Sequence, residues 1–389
     1  MKGLHGIIFS YEKHNNLREL TANRMPASVP FAGRYRIIDF ILSSMVNAGI
    51  SKVGLVTKRN YQSLMDHLGS GKAWDLSRKN QGLYFLPPFG TSEEMYNGRI
   101  VSLAEIEPFL RNSKEEYVVM SDCHVVGNID YDALLETHRD SGADITIAYK
   151  RGPVPDTPDN LLLWTAEDGR VKDIVLNTRP AGESAYGLGL YVLRKELLQR
   201  LVATCLGRNY HHFERDVLQR QVENMRLYGY EVPEMTMVIS SLGSYFDANM
   251  ALLNAEVRQQ LFLSSRPIYT KVRDCPPALY GLHASVSHSL VADGARVDGT
   301  VRNSIIFRDV NIGRDARVEN CIVMQGTAVG AGANLCYVIL DKNVSIQDGR
   351  CRASAAIRFI SARDPPCKAA AANKQTVCAA CVRRNRRIP

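Results

Sequence analysis

Asp122 follows directly on Glu116-Tyr-Val-Val-Met-Ser121, a run that reads as a buried strand, so its carboxylate stands where such a strand ends. Ser10 and the residues up to Pro30 follow a second run of this kind, Gly6-Ile-Ile-Phe9. Ligands of open α/β sheets bind beyond the carboxyl ends of the strands, so chemistry is expected at both places. The bland alternative for Asp122 is a carboxylate that caps a turn. Other polar groups give weaker signals. His211 and His212 lie among polar residues ahead of a helical pattern, which suits a surface better than a metal. Cys378-Ala-Ala-Cys381 has the spacing of zinc ligands but lacks a second pair at a matching distance. His283 and His288 would serve an acyltransferase built on stacked coils, a reading that leaves the first half of the chain unexplained.

The elements that must position these groups alternate between two periods. Short apolar runs at 6–9, 52–57, 116–121 and 144–149 read as strands, and residues 37–48 and 131–141 as amphipathic helices that stop near Gly49 and Gly142. Strands alternating with helices argue for a parallel α/β sheet. Beyond about residue 280 the rhythm changes. Ile306, Ile312 and Val318 are spaced by six, as are Val323, Val329 and Leu335. The motifs Asn303-Ser-Ile-Ile-Phe307 and Asn320-Cys-Ile-Val-Met324 repeat, with a looser echo at 336–340. An aliphatic residue at every sixth position, with small residues at the corners, is the pattern of a parallel β-helix whose coils stack.

Length, 389 residues, allows two or three domains, and 45% hydrophobic with 23% charged residues excludes a disordered or collagen-like chain. The net charge of +8 invites a nucleic-acid reading, but residues 349–389 hold ten basic residues against the single acid Asp364, so residues 1–348 are close to neutral. The body therefore gives no sign of nucleic-acid binding, and its longest N-terminal apolar stretch is too short for an export signal or a membrane span. Nine thinly spread cysteines point to a reducing cytoplasm rather than a disulfide framework. The expected organisation is an α/β domain over 1–255, a linker over 256–280, a β-helix over 281–348, and a basic Ala-, Arg- and Cys-rich tail over 349–389. The tail reads either as a functional extension or, preferably, as a carboxyl end translated out of frame.

The segments Leu17-Arg-Glu-Leu-Thr-Ala-Asn-Arg24 and Val29-Pro-Phe-Ala-Gly-Arg-Tyr-Arg-Ile-Ile-Asp-Phe40 closely resemble the start of the glucose-1-phosphate adenylyltransferase (ADP-glucose pyrophosphorylase) family. The likeness continues through Ser141-Gly-Ala-Asp-Ile-Thr146, Gly189-Leu-Tyr-Val192 and Tyr245-Phe-Asp-Ala-Asn249 into the hexapeptide region. It implies a nucleotidyltransferase, Rossmann-like domain with a mixed sheet, then a left-handed β-helix. The implied reaction joins ATP and glucose 1-phosphate into ADP-glucose and pyrophosphate, with Mg2+, in bacterial glycogen synthesis. Such catalysis consists of holding phosphates in line and neutralising their charge.

Where the family has its glycine-rich loop, this chain reads Tyr11-Glu-Lys-His-Asn-Asn16. Side chains there obstruct the close approach of backbone N–H groups to a polyphosphate, and Glu12 adds repulsion. The loop arginine of the family falls on Asn16 and a binding lysine on Pro26, leaving Lys13, Asn16 and Arg24 as the remnant. Of the following loop Tyr96 and Gly98 remain. The resemblance makes Asp122 the counterpart of a metal-binding aspartate and Val238 that of the second, although valine cannot coordinate magnesium. Arg179 replaces the lysine for the sugar phosphate, and Tyr96, Gly98 and Gly189 match substrate-binding positions.

Kept scaffold with altered loops resembles the non-catalytic, GlgD-type subunit of the family. The expected partner is then a catalytic glucose-1-phosphate adenylyltransferase subunit in a hetero-oligomer, a tetramer by family likeness. Binding of Mg2+ and ATP by this chain is doubtful on this reading, whereas a sugar phosphate could still be held. The alternative is a self-sufficient sugar-phosphate nucleotidyltransferase whose divergent phosphate loop relies on Lys13.

Overall fold

In a computed structural model, residues 3–11, 17–58, 60–87, 98–180 and 182–361 are described. The chain divides into two compact units: Met1–Val29, Arg36–Ser241 and Gln259–Lys271 form the first, and Pro30–Tyr35, Leu242–Arg258 and Val272–Pro389 the second. No helix among the described residues is long and apolar enough to cross a membrane.

The first unit is built on a mixed sheet. Its strands are β1 (Leu4–Phe9), β2 (Lys52–Val56), β3 (Gly82–Leu86), β4 (Tyr117–Asp122), β5 (Ile145–Pro153), β6 (Leu161–Thr165), β7 (Val171–Leu176), β8 (Glu183–Arg194) and β9 (Leu227–Glu231). The path runs β7-β6-β8-β4-β1-β2-β3, with β5 branching from β8 and β9 pairing parallel with β5. Strands β4, β1, β2 and β3 are parallel, as the alternation predicts. The sheet is mixed, as the resemblance implies, because β8 pairs antiparallel with β4 and β5, where strand–helix alternation alone argued for parallel strands. At 12 residues β8 is long enough to pair with β4 and β5 together, and most of its side chains are buried.

Helix α1 (Ile37–Asn47) shows how residues dictate an element here. Ile38, Ile41, Leu42 and Met45 recur at helical spacing and are all buried against the sheet, each worth about 1.5–3 kcal/mol of apolar transfer. The helix starts where the Asp39 carboxylate accepts a hydrogen bond from Arg36 N at 3.0 Å. It ends where Gly49 takes φ 75° and donates to Val46 O at 2.8 Å. Asp39 also accepts from His67 Nε2 at 2.6 Å and Thr270 Oγ1 at 2.6 Å, so this buried carboxylate ties residues 67 and 270 to the helix start. That suits the structural role suggested by its place in the first turn.

The second unit contains the hexapeptide-repeat β-helix. Arg296–Val297, Asn311–Ile312, Ala328–Val329 and Ser345–Ile346 stack in parallel, with Val297, Ile312, Val329 and Ile346 buried one above another. A second ladder carries Val301 over Val318 over Leu335, and a third Ile306 over Val323 over Leu340. One corner of each coil is a left-handed residue: His288 (φ 45°), Asn303 (45°), Asn320 (51°) and Tyr337 (55°). Asparagine tolerates this conformation because its amide bonds locally; here Asn303 Nδ2 donates to Asn320 Oδ1. Asn303 Oδ1 meets His288 Nδ1 at 2.9 Å, so His288 belongs to this corner ladder.

The sequence rhythm stops near Ile346, but the backbone does not. Cys351–Ile360 forms a further parallel strand on Asn334–Leu340, from Asn334↔Cys351 to Leu340↔Ile360. The register shifts between Cys336 and Val338, so three extra residues are absorbed by an irregularity. Ladder bonds use main-chain groups, so pairing survives the loss of the hexad. Residues 362–389, with Cys378, Cys381 and the arginine run at 383–387, lie outside the described residues.

Candidate functional site

Strands β1 and β4 are neighbours in register, with Phe9 opposite Asp122, so their carboxyl ends lie side by side. The two strand ends singled out in the sequence are therefore neighbours. What fills it is an arginine that the sequence reading passed over. Arg99 opens helix α2 (Arg99–Glu105), and its Nη2 donates to Asp122 Oδ1 at 2.8 Å and Oδ2 at 2.9 Å. The same nitrogen lies 3.0 Å from Glu214 Oε1. The guanidinium carbon stands 4.6 Å from the ring centre of Phe9 and 5.2 Å from that of Tyr191. The Arg99 side chain is only 11% exposed, so these pairs act with little solvent screening.

The local folding that delivers Arg99 is specific. The carbonyl of His211 accepts from Ile100 N at 3.1 Å, and a Cβ on Gly98 would come within 2.0 Å of that carbonyl oxygen. Only glycine lets the two backbones close so tightly. On the opposite side, Asp216 Oδ2 accepts from the backbone N–H of His211 (3.1 Å) and His212 (2.9 Å), fixing the turn that leads into Glu214. Gly189, at φ 67°, has the Asp122 carboxylate against its α-carbon: a Cβ there would meet Oδ2 at 2.2 Å. Gly98, Gly189 and Asp122 are thus brought together, and their first task is to pack Arg99 against Asp122.

The electrostatics follow. Burial alone would weaken the Arg99 cation, but Asp122 and Glu214 more than offset this and raise its pKa above the ordinary guanidinium value. Tyr191 is raised well above the usual tyrosine range, by burial first and then by Glu214. Tyr11, whose hydroxyl lies 2.7 Å from Ser102 Oγ, is pushed up to about 12 by burial. His124 is lowered by burial. Each of these shifts runs away from neutrality, upward for the arginine and tyrosines and downward for the histidine.

A divalent cation does not fit these residues. Both oxygens of Asp122 already accept from Arg99, and the position expected to supply the second carboxylate of a magnesium clamp is Val238. Val238 lies in a short strand that pairs with Val125–Gly127, opposite Val125 and just past Asp122, and offers no ligand atom. Among the described residues no group of three or more acidic, histidine or cysteine side chains could hold a metal. Asp122, expected as a metal ligand, is in this structure the partner of Arg99.

The remaining predicted residues scatter. Arg179 forms an exposed ion pair with Asp156 at 2.5 Å, their side chains 58% and 76% exposed. Such a pair is worth little and commits neither group to a ligand. Arg24 is buried in the turn after Arg18–Thr21. Pro26 starts a short 3-10 turn, Pro26–Ser28, a position where a missing N–H costs nothing. Lys13, Asn16 and Tyr96 lie outside the described residues.

Comparison with known proteins agrees with this framework. The model of the nucleotidyl transferase family matches residues 6–255, and that of the GlmU-like C-terminal hexapeptide matches residues 279–351. The chain is 35% identical over 342 residues to glycogen biosynthesis protein GlgD of Bacillus subtilis (strain 168), covering 88% of this chain and 90% of that protein. It is 39% identical to GlgD of Geobacillus stearothermophilus, covering 80% and 82%. It is 34% identical to glucose-1-phosphate adenylyltransferase of Thermotoga maritima, covering 77% and 72%. The chain belongs to the glucose-1-phosphate adenylyltransferase family. Within that family's fold, Arg99 and Glu214 are the residues that sequence reasoning missed. Arg99 follows the matched Gly98 and counts, in a linear comparison, as one more lost position. The sequence alone carries no signal that pairs them, because they lie 115 residues apart.

Proposed function

We propose that this chain is a GlgD-type subunit of a glucose-1-phosphate adenylyltransferase, acting in glycogen biosynthesis by modulating a catalytic homologue rather than by catalysing alone. The observation that carries this reading is the commitment of Asp122 to Arg99. Phosphoryl chemistry of this class needs a cation that bridges phosphate oxygens, and here the carboxylate that would hold it is neutralised from within. The relatives named GlgD and glucose-1-phosphate adenylyltransferase support the pathway. The modulating role would work through packing beside the catalytic chain, with affinity changes as the readout.

The test is an assay of ADP-glucose formation by the purified chain alone, by a catalytic homologue alone, and by the two mixed. The expected result is no synthesis by this chain and an altered substrate or effector response in the mixture. Robust synthesis by this chain alone would refute the proposal.

A further inference from the structure

We propose that the Arg99 guanidinium is a covalently attached substitute for a divalent cation, and that Asp122 and Glu214 form a latent cation site which Arg99 keeps closed. Two carboxylates from separate segments converge on one nitrogen at 2.8, 2.9 and 3.0 Å. The side chains of Asp122 and Glu214 are 19% and 29% exposed, so each is partly withdrawn from water and depends on that cation. The aromatic faces of Phe9 and Tyr191 hold the guanidinium in place. Among the described residues its buried Nη1 has no hydrogen-bond partner, which suits a pocket shaped around a charge rather than around a full set of hydrogen bonds.

Removing the guanidinium leaves two acidic groups facing one space without a counter-ion. Hard divalent cations favour such a place, completing their shell with water where protein oxygens run out. The wild-type chain should therefore be indifferent to divalent ions at this pocket, and loss of the Arg99 charge should uncover an affinity for them. The inference concerns charge at Asp122 and stands whether or not the chain modulates a second subunit, so the synthesis assay and the binding assay fail separately.

The experiment titrates the full-length chain with Mn2+, followed by electron paramagnetic resonance of the free ion. Wild type should show no saturable site that Asp122→Asn removes. Arg99→Met should acquire one Mn2+ with affinity on the order of tenfold or more above any wild-type uptake, and Arg99→Met combined with Glu214→Gln should lose it again. If Arg99→Met does not fold, Arg99→Gln replaces it, with its melting temperature followed as Mn2+ is added. A rise abolished by Glu214→Gln supports the proposal. A saturable wild-type site that Asp122→Asn abolishes, or a folded neutral variant at position 99 that takes up no Mn2+, overturns it.

Discussion

Acid should unfold the first unit through its buried histidines, and His5 gives the clearest case. His5 is fully buried in β1, with its ring edge-on to Phe109 at 5.9 Å. Burial first, then the charges of Lys52 and Lys195, lower its pKa from 6.5 to about 3. A folded-state value below the unfolded one means that the unfolded chain binds the proton more readily. The stabilisation is then intact above pH 6.5 and lost progressively as pH falls toward about 3. For these two values the loss between about pH 7.5 and about pH 5 is about 2 kcal/mol from this group. His138, lowered to about 4 by burial and then by Arg194 and Arg139, adds a loss of about the same size. Both tryptophans, Trp74 and Trp164, lie in this unit, so their fluorescence reports its unfolding alone. Urea denaturation followed this way should show stability falling less in His5→Leu than in wild type over that range, by about 2 kcal/mol. Parallel pH curves for the two proteins would refute the argument.

Other perturbations follow from the same structure. Gly189→Ala places a methyl group 2.2 Å from Asp122 Oδ2 at φ 67°, and should lower stability by about 2–3 kcal/mol in the same fluorescence assay; an unchanged midpoint would count against the packing described. Thr270→Val removes the donor 2.6 Å from Asp39 and should cost about 1.5–3 kcal/mol in urea denaturation, with Thr270→Ser near wild type. Asn320→Ala, at φ 51° and deprived of its bond to Asn303, should cost about 1–2 kcal/mol, read by calorimetry of the β-helix transition.

Regular repetition made much of the fold legible in advance. The hexads write the stacked coils directly, because each inward aliphatic meets its own kind one coil away, as Val301, Val318 and Leu335 do. The helix at 37–47 was readable because its apolar stripe, acidic first turn and terminal glycine all agree. The antiparallel strand β8 was not, since strand direction leaves little trace in local composition. Cys351–Ile360 escaped because alanine and arginine carry no inward period, while the main chain pairs regardless. At the candidate site, Asp122 could be placed from its strand alone. Its occupant could not, because Arg99 and Glu214 meet only after the sheet has brought distant loops together.

The coil lengths have one more implication. Partner residues lie 15 apart across Arg296↔Asn311 and Thr300↔Arg317 lie 17 apart, as do Ile305↔Ile322 and Asn311↔Ala328. Lost or gained residues can therefore vanish into a bend, but a flat face cannot change length without turning its inward side chains out to water. Over evolutionary time this half of the molecule should grow or shrink in whole circuits, and tolerate odd-sized changes only at its bends.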